Sequence, residues 1–248
     1  MTPIVWATSD DGQFDFVSLS AETLEGGLNV MRNAFFKHES VAVACEVDQN
    51  PNAAKELEEL TYRATRDGVS LAAIDKKTGT VAAAAFNKIL IKNNPGDDTY
   101  FENFAKNCKY ESSKALVQFM IDADATVNLF EHYNVDCIME VMFLATLPQY
   151  RKKGLGQKLF ELSVEVCRAL LRGEPVKVSI DDNVTLPLEP VPKVVSSILT
   201  SFVTQKMSKD LGFIKLNEIS FEKFIYQGHT FASRIADTKS TTLESLKL

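Results

Sequence analysis

Four cysteines, three histidines and no long apolar run: the 248-residue chain is short of several features that would settle its class at once. Cys45, Cys108, Cys137 and Cys167 stand without a Cys-x-x-Cys spacing, which removes the common thiol redox and zinc motifs. Cys137 and Cys167 lie in apolar stretches, where a buried, reduced thiol is the ordinary outcome. His38, His132 and His229 are far apart and lack ligand spacing, so no metal is expected. No apolar run reaches the ~18–20 residues that span a bilayer. The opening Met-Thr-Pro-Ile, soon followed by Asp10-Asp11, lacks the charged start and apolar core of a secretory signal. These absences predict a reduced, soluble, cytoplasmic protein with no membrane partner. An excess of basic residues is missing too. A net charge of −6 argues against nucleic acid as a partner, which needs phosphate neutralised, and suits a cationic ligand better.

What is present is ordinary for a globular protein: 45% hydrophobic and 24% charged residues, in a chain long enough to bury a substantial core. Periodicity then gives the elements. Phe14–Leu19 alternates as a half-buried strand, and Thr23 is placed to cap a helix from Leu24 to about Phe36, weakened by Gly26-Gly27. A helix is expected from Ala53 to Arg66, then strands over Val69–Asp75 and Thr80–Ile91 joined by Lys76-Lys77-Thr78-Gly79. The second of these strands carries Ala82-Ala83-Ala84-Ala85, whose small side chains let a neighbour approach closely. Helical segments over Thr99–Cys108 and Ser113–Tyr133 form an insert before the apolar run Cys137–Leu147. That run reads as a central strand buried on both faces, broken by Glu140 and Thr146. Leu155–Leu171 is a long amphipathic helix. Half of the eight prolines fall between Pro175 and Pro192, an extended connection with room for a short strand at Val176–Ile180. Strands at Val194–Leu199, Phe213–Phe221 and Thr241–Leu248 and a helix at Phe202–Leu211 complete a single mixed α/β domain over residues 1–248.

Between the central strand and the long helix lies Arg151-Lys152-Lys153-Gly154-Leu155-Gly156. Strand, basic glycine turn and helix start together turn backbone N–H groups outward at the positive end of a helix dipole, a seat for an anion such as phosphate. It is neither a Walker loop nor the three-glycine dinucleotide fingerprint. By itself the turn is equally consistent with a solvated basic loop.

The element order, with Arg-x-x-Gly-x-Gly between the fourth strand of the core pattern and its helix, resembles the GNAT superfamily of acyl-CoA-dependent N-acyltransferases. The closing stretch SSILTSFVTQKMSKDLGF, ending in Leu-Gly-Phe, is similar to that superfamily as well. Ala34-Phe35-Phe36-Lys37-His38-Glu39 and the helical insert at about 99–133 look like the insect arylalkylamine N-acetyltransferase branch. The resemblance implies a GNAT fold: a central, mixed but mostly antiparallel, splayed sheet flanked by helices. It also implies acetyl-CoA, or another acyl-CoA, as co-substrate. The pyrophosphate would rest on Arg151, Lys152, Lys153, Gly154, Leu155 and Gly156, and the pantetheine on the freed strand edge at Phe143, Leu144, Ala145 and Thr146.

The expected chemistry is acyl transfer to a small primary amine. An alkylammonium has a pKa near ~10, so direct attack on a thioester needs a carboxylate to take a proton. By spacing, Glu39 is an exposed carboxylate at a helix end; by resemblance it is the catalytic base, although the family has Asp-Glu-Pro where this chain has His38-Glu39-Ser40. The family pattern Ser-Ser-x-Tyr-Ser is matched by Thr200-Ser201-Phe202-Val203-Thr204, so the proton donor to the departing thiolate falls to Thr204 with Thr200 as helper. Val203 replaces the tyrosine and has no proton to give. Phe35 and Phe36 are candidates to line the amine site, and Glu140 to point into it. Dopamine, serotonin, tyramine and octopamine fit the resemblance; the departures suit agmatine or a polyamine. A catalytically degenerate GNAT that binds acyl-CoA as a sensor is the alternative. Oligomeric state has no signal in the sequence.

Overall fold

The computed structural model of the chain describes residues 4–94 and 96–248. Strands β1 (Val5–Thr8) and β2 (Phe14–Ser18) pair antiparallel at one margin of the sheet. Helix α1 (Ala21–Val30) begins after Ser20, three residues before the expected cap. Thr23 is instead the third helical residue of a capping box, accepting a hydrogen bond from the Ser20 backbone N–H at 2.9 Å. The helix widens into a π turn, Met31–Phe35, and closes as α2 (Phe36–His38). Such a turn rotates everything after it, and such turns cluster at functional sites.

Helix α3 (Ser40–Ala44) follows at once. Helix α4 (Pro51–Thr65) starts on Asn50, whose side chain accepts from the Ala53 N–H at 3.1 Å, with Pro51 fixing the first turn. Strands β3 (Leu71–Asp75) and β4 (Val81–Ile91) lead to the insert, α5 (Tyr100–Lys106), α6 (Glu111–Asp124) and α7 (Leu129–Tyr133). The single helix expected over Ser113–Tyr133 is thus two, because Asn128 restarts the chain by capping the Glu131 N–H at 3.3 Å. After β5 (Cys137–Thr146) come α8 (Leu155–Leu171), β6 (Val194–Leu199), α9 (Phe202–Asp210) and β7 (Ile214–Ser220). The small hairpin β8 (Ile225–Tyr226) and β9 (His229–Thr230) precedes β10 (Ser240–Lys247). The short strand expected at Val176–Ile180 reduces to one isolated bridge, Val178 to Thr185.

Eight strands form one sheet in the order β1-β2-β3-β4-β5-β6-β10-β7. Every neighbouring pair is antiparallel except β5 and β6. Helix α8 covers one face, burying Leu155, Leu159, Phe160, Val166 and Leu170 against β3, β4 and β5. Each such side chain contributes roughly 1.5–3 kcal/mol when fully buried. Helices α1, α4 and α6 cover the other face through Val30, Leu57, Leu60, Leu116 and Met120. The close approach of α1 to the sheet explains its glycine pair. A Cβ on Gly26 would collide with Val81, and one on Gly27 would come within 3.1 Å of Leu19, so the helix lies closer to the sheet than any side chain allows. Among the described residues no helix is long and apolar enough to cross a membrane.

Candidate active site

Strands β5 and β6 run parallel but are paired only at Met139–Val195 and Glu140–Ser196. Past that point they diverge. The cause is a bulge in β5: Phe86 of β4 faces Phe143 and Asn87 faces Val141, so Met142 is an extra residue. The insertion inverts the alternation of the strand. Before it Cys137, Met139 and Val141 face α8; after it Phe143 and Ala145 face the opposite core and Leu144 turns toward α8. The last link between the strands is a side chain, the Ser197 hydroxyl donating to the Val141 carbonyl at 2.8 Å. Beyond it the β6-facing edge of β5 is unpaired.

The opening holds a cleft of about 360 Å³. Its walls are Val141, Met142, Leu144, Ala145 and Thr146 from β5, and Ile198 to Ser201 with Val203 and Thr204 from β6 and α9. Phe35, His38, Glu39 and Ser40 also line it, as does Arg151. A space of this size suits a small ligand held along its length.

Glu39 sits where α2 gives way to α3. Its extended backbone ends the first helix and its carboxylate caps the second, Oε2 accepting from the Ala42 N–H at 2.7 Å. Oε1 accepts from the Thr200 hydroxyl at 2.6 Å. Burial pushes the carboxyl up from its ordinary value of 4.5, while the Thr200 hydroxyl and the α3 backbone N–H groups pull the other way. The net shift is upward, toward a carboxylate readier to take a proton. Thr200 therefore orients Glu39. Thr204 lines the cleft with its hydroxyl donating to the Ser201 carbonyl at 3.0 Å, while the Ser201 side chain caps α9 by accepting from the Thr204 N–H at 3.2 Å. Val203 is 45% exposed on the cleft wall and offers no proton.

The glycine turn arrives from β5 through Pro148–Tyr150, with Arg151, Lys152 and Lys153 exposed. Gly154 is the N-cap of α8 at φ +75°, a Cβ there would meet nothing within 4 Å, and the first N–H groups of this seventeen-residue helix have no partner within the helix. Lys152 also has positive φ, +62°. Gly156 lies against Thr146, whose hydroxyl is 3.6 Å from the position of an added Cβ. Leu155 is core, and Lys153 lies over the Phe14 ring at 5.2 Å.

Two expected positions, Phe36 and Glu140, lie elsewhere than expected. Phe36 is 2% exposed and edge-on to Phe35, a core residue that the π turn rotates inward; Phe35 alone reaches the cleft. Phe143 keeps its backbone on the strand edge, while its side chain packs on Phe35 at 4.8 Å. Glu140 does not line the cleft; it precedes the bulge and lines a smaller adjoining pocket with Leu116, Phe119 and Met120. Asp181 pairs with Arg66 at 3.5 Å outside the cleft. Residues that pattern reading passed over are His38, Ser197 and Asp237, each on the cleft wall. His38 was within reach as the neighbour of Glu39; Asp237 lies in an irregular loop with no periodic signal.

No known protein-family profile matches the chain, and no curated protein sequence does. Solved structures do. Arylalkylamine N-acetyltransferase 2 from Aedes aegypti superposes with a TM-score of 0.75 at 24% identity, covering 94% of this chain and 98% of that one. The Drosophila melanogaster polyamine N-acetyltransferase, which catalyses formation of N-acetylagmatine, gives 0.71 at 15% identity over 95% and 100%. Arabidopsis thaliana NAA60 in complex with acetyl-CoA gives 0.50 at 12% over 95% and 98%. The chain has the GNAT fold: a mixed α/β arrangement whose mostly antiparallel sheet is flanked by helices and splayed at β5 and β6.

Proposed function

We propose that this protein is an acetyl-CoA-dependent N-acetyltransferase acting on a small primary amine by direct attack in a ternary complex. The observation that carries the reading is the divergence of β5 from β6 after Glu140–Ser196, with Glu39 and Arg151 both on the wall of the opening. The Gly154 cap and the open first turn of α8 suit a pyrophosphate, with Arg151 and the exposed Lys152 and Lys153 adding charge. The unpaired edge of β5 at Phe143–Thr146 suits the amide groups of a pantetheine arm by strand addition. The cleft at Phe35 then takes the amine.

Glu39 accepts the proton that the attacking nitrogen must lose, held in place by Thr200 and Ala42. Thr204 is the hydroxyl nearest in role to a thiolate donor, and using it means giving up its bond to the Ser201 carbonyl. That bond favours a second reading, an acyl-CoA-binding module without turnover, since the one hydroxyl suited to the thiolate is occupied. Glu39→Gln decides between the catalytic and structural roles of the carboxyl. Turnover falls on the order of 10²-fold at neutral pH with acetyl-CoA affinity unchanged, as for loss of a general base; unchanged turnover removes Glu39 from the chemistry. An arylalkylamine, agmatine or a polyamine each suits a cleft with a carboxylate and a phenyl ring, and the structural neighbours include enzymes of both kinds.

A further inference from the structure

Asp237 is on the cleft wall, and the reaction as read above gives it no part. It belongs to the segment between β7 and β10, closed at its base by the Phe221 N–H donating to the Lys239 carbonyl at 3.0 Å. The segment is pinned along its length. Phe231 packs beside Phe119 of α6 with ring centroids 5.9 Å apart. The Arg234 guanidinium donates to the Ala44 carbonyl at 2.7 Å and pairs with Glu46 at 2.8 Å. Ile235 and Thr238, which bracket Asp237, are buried, and the Thr238 hydroxyl accepts from the Phe202 N–H at 3.2 Å. A loop tied down in this way holds its exposed side chain at a fixed place on the scaffold.

One short stretch of chain locates both cleft carboxylates. Thr200 donates to Glu39 at 2.6 Å, and Phe202, two residues on, donates to Thr238 beside Asp237. Two residues of extended chain span at most about 7 Å, so the two anchor points are neighbours. The carboxylates differ in what holds them. Glu39 has an oxygen on Thr200 and an oxygen on the Ala42 N–H. Asp237 is exposed, and among the described residues it forms no ion pair. Arg234 is taken by Glu46, and Arg151, the guanidinium on the cleft wall, stands at the turn into α8 that the reading above gives to acyl-CoA. Phe35 and Val203 add apolar wall, which suits methylene groups.

We propose that Asp237 is a specificity-determining residue that takes a distal cation of the substrate. The amine is then an alkyl chain with a second cationic group, an ammonium or a guanidinium, and not a monoamine with an uncharged tail. The inference rests on the acetyltransferase reading above and names the substrate class within it. One nitrogen passes its proton to Glu39 and is acylated; the other group keeps its charge and donates to Asp237. Hydrogen bonds between charged partners are the stronger kind, and a guanidinium can meet a carboxylate through two at once. A plain alkyl or aryl tail offers Asp237 neither charge nor donor.

The test measures thiol release from acetyl-CoA with putrescine, cadaverine and agmatine against butylamine, pentylamine and phenethylamine. It uses the wild type, Asp237→Asn and Asp237→Glu. In the wild type kcat/KM favours the dication over the monoamine of equal chain length by about 10-fold. Asp237→Asn abolishes most of that preference through KM, with kcat for the dication kept, and Asp237→Glu restores it. General damage to the cleft lowers both amines alike; a preference that survives Asp237→Asn overturns the inference. Should that variant fail to fold, salt titration of the wild type carries the same test. Screening of an exposed charge pair raises KM for the dication more than for the monoamine, and an equal response overturns the inference. A wild type that acetylates butylamine or phenethylamine as well as the dications overturns it too, and leaves the acetyltransferase reading standing. A wild type that binds acetyl-CoA and turns over no amine overturns both.

Discussion

Thr200 and burial pull Glu39 in opposite directions, and the balance sets the pH at which the carboxylate can work. The Thr200 hydroxyl stabilises the charged form; burial destabilises it and wins. Thr200→Val removes one stabilising donor, so the carboxyl titrates higher still. The expected outcome is a kcat–pH profile whose acid limb moves to higher pH, with activity returning in alkaline buffer. A uniform loss at every pH means Thr200 shapes the cleft and does not tune Glu39. Glu140 gives a stability prediction of definite sign. Its folded pKa lies above the ordinary 4.5, so its contribution is fully present below 4.5 and is lost as pH rises toward the folded value. Glu140→Gln escapes that loss. Thermal unfolding should find the variant more stable than the wild type at pH 8, with the gain shrinking toward pH 4; equal stability at both means the carboxyl is not desolvated. Glu39 could be named from sequence only through a resemblance, since its spacing alone reads as a helix-end carboxylate. What makes it a site residue is the extended backbone between α2 and α3 and the Thr200 contact across 161 positions, neither of which is periodic.

At the scale of elements, β5, α8 and β6 were legible because their signals are local: a long apolar run, an amphipathic stripe and a short apolar run before a Ser cap. The bulge at Met142 was not, because an unbroken apolar run looks the same whether or not one residue is extra. Its position, which decides the side faced by Glu140, Phe143 and Leu144, depends on the pairing with β4. The break between α6 and α7 and the edge strand β1 escaped for a related reason: a capping Asn within a helical pattern and four half-exposed residues give little periodic signal. The glycines of α1 read as a defect in sequence and are a packing requirement in the fold. Gly26→Ala improves helix propensity by about 1 kcal/mol but drives a methyl into Val81, and overpacking of this kind costs typically about 1–3 kcal/mol. Denaturant unfolding should therefore show net destabilisation, with Val81→Ala in the same chain restoring part of it. A stabilised single variant would mean that α1 can move off β4.

For the whole molecule, one sheet defect and two helix starts define the cleft. The bulge separates β5 from β6, the turn into α8 brings Arg151 to the cleft wall, and α3 starts from Glu39 on the same wall. A net charge of −6 and the Glu39 carboxyl on the cleft wall favour a cationic amine over an acidic substrate. The central claim is transfer of acetyl to such an amine, and thiol release measures it directly. Purified protein with acetyl-CoA is offered arylalkylamines, agmatine and polyamines in turn, while calorimetry follows acetyl-CoA binding. The account predicts acetyl-CoA binding and amine-dependent thiol release with at least one of these amines, reduced on the order of 10²-fold in Glu39→Gln. Acetyl-CoA binding with no thiol release from any of them would contradict it.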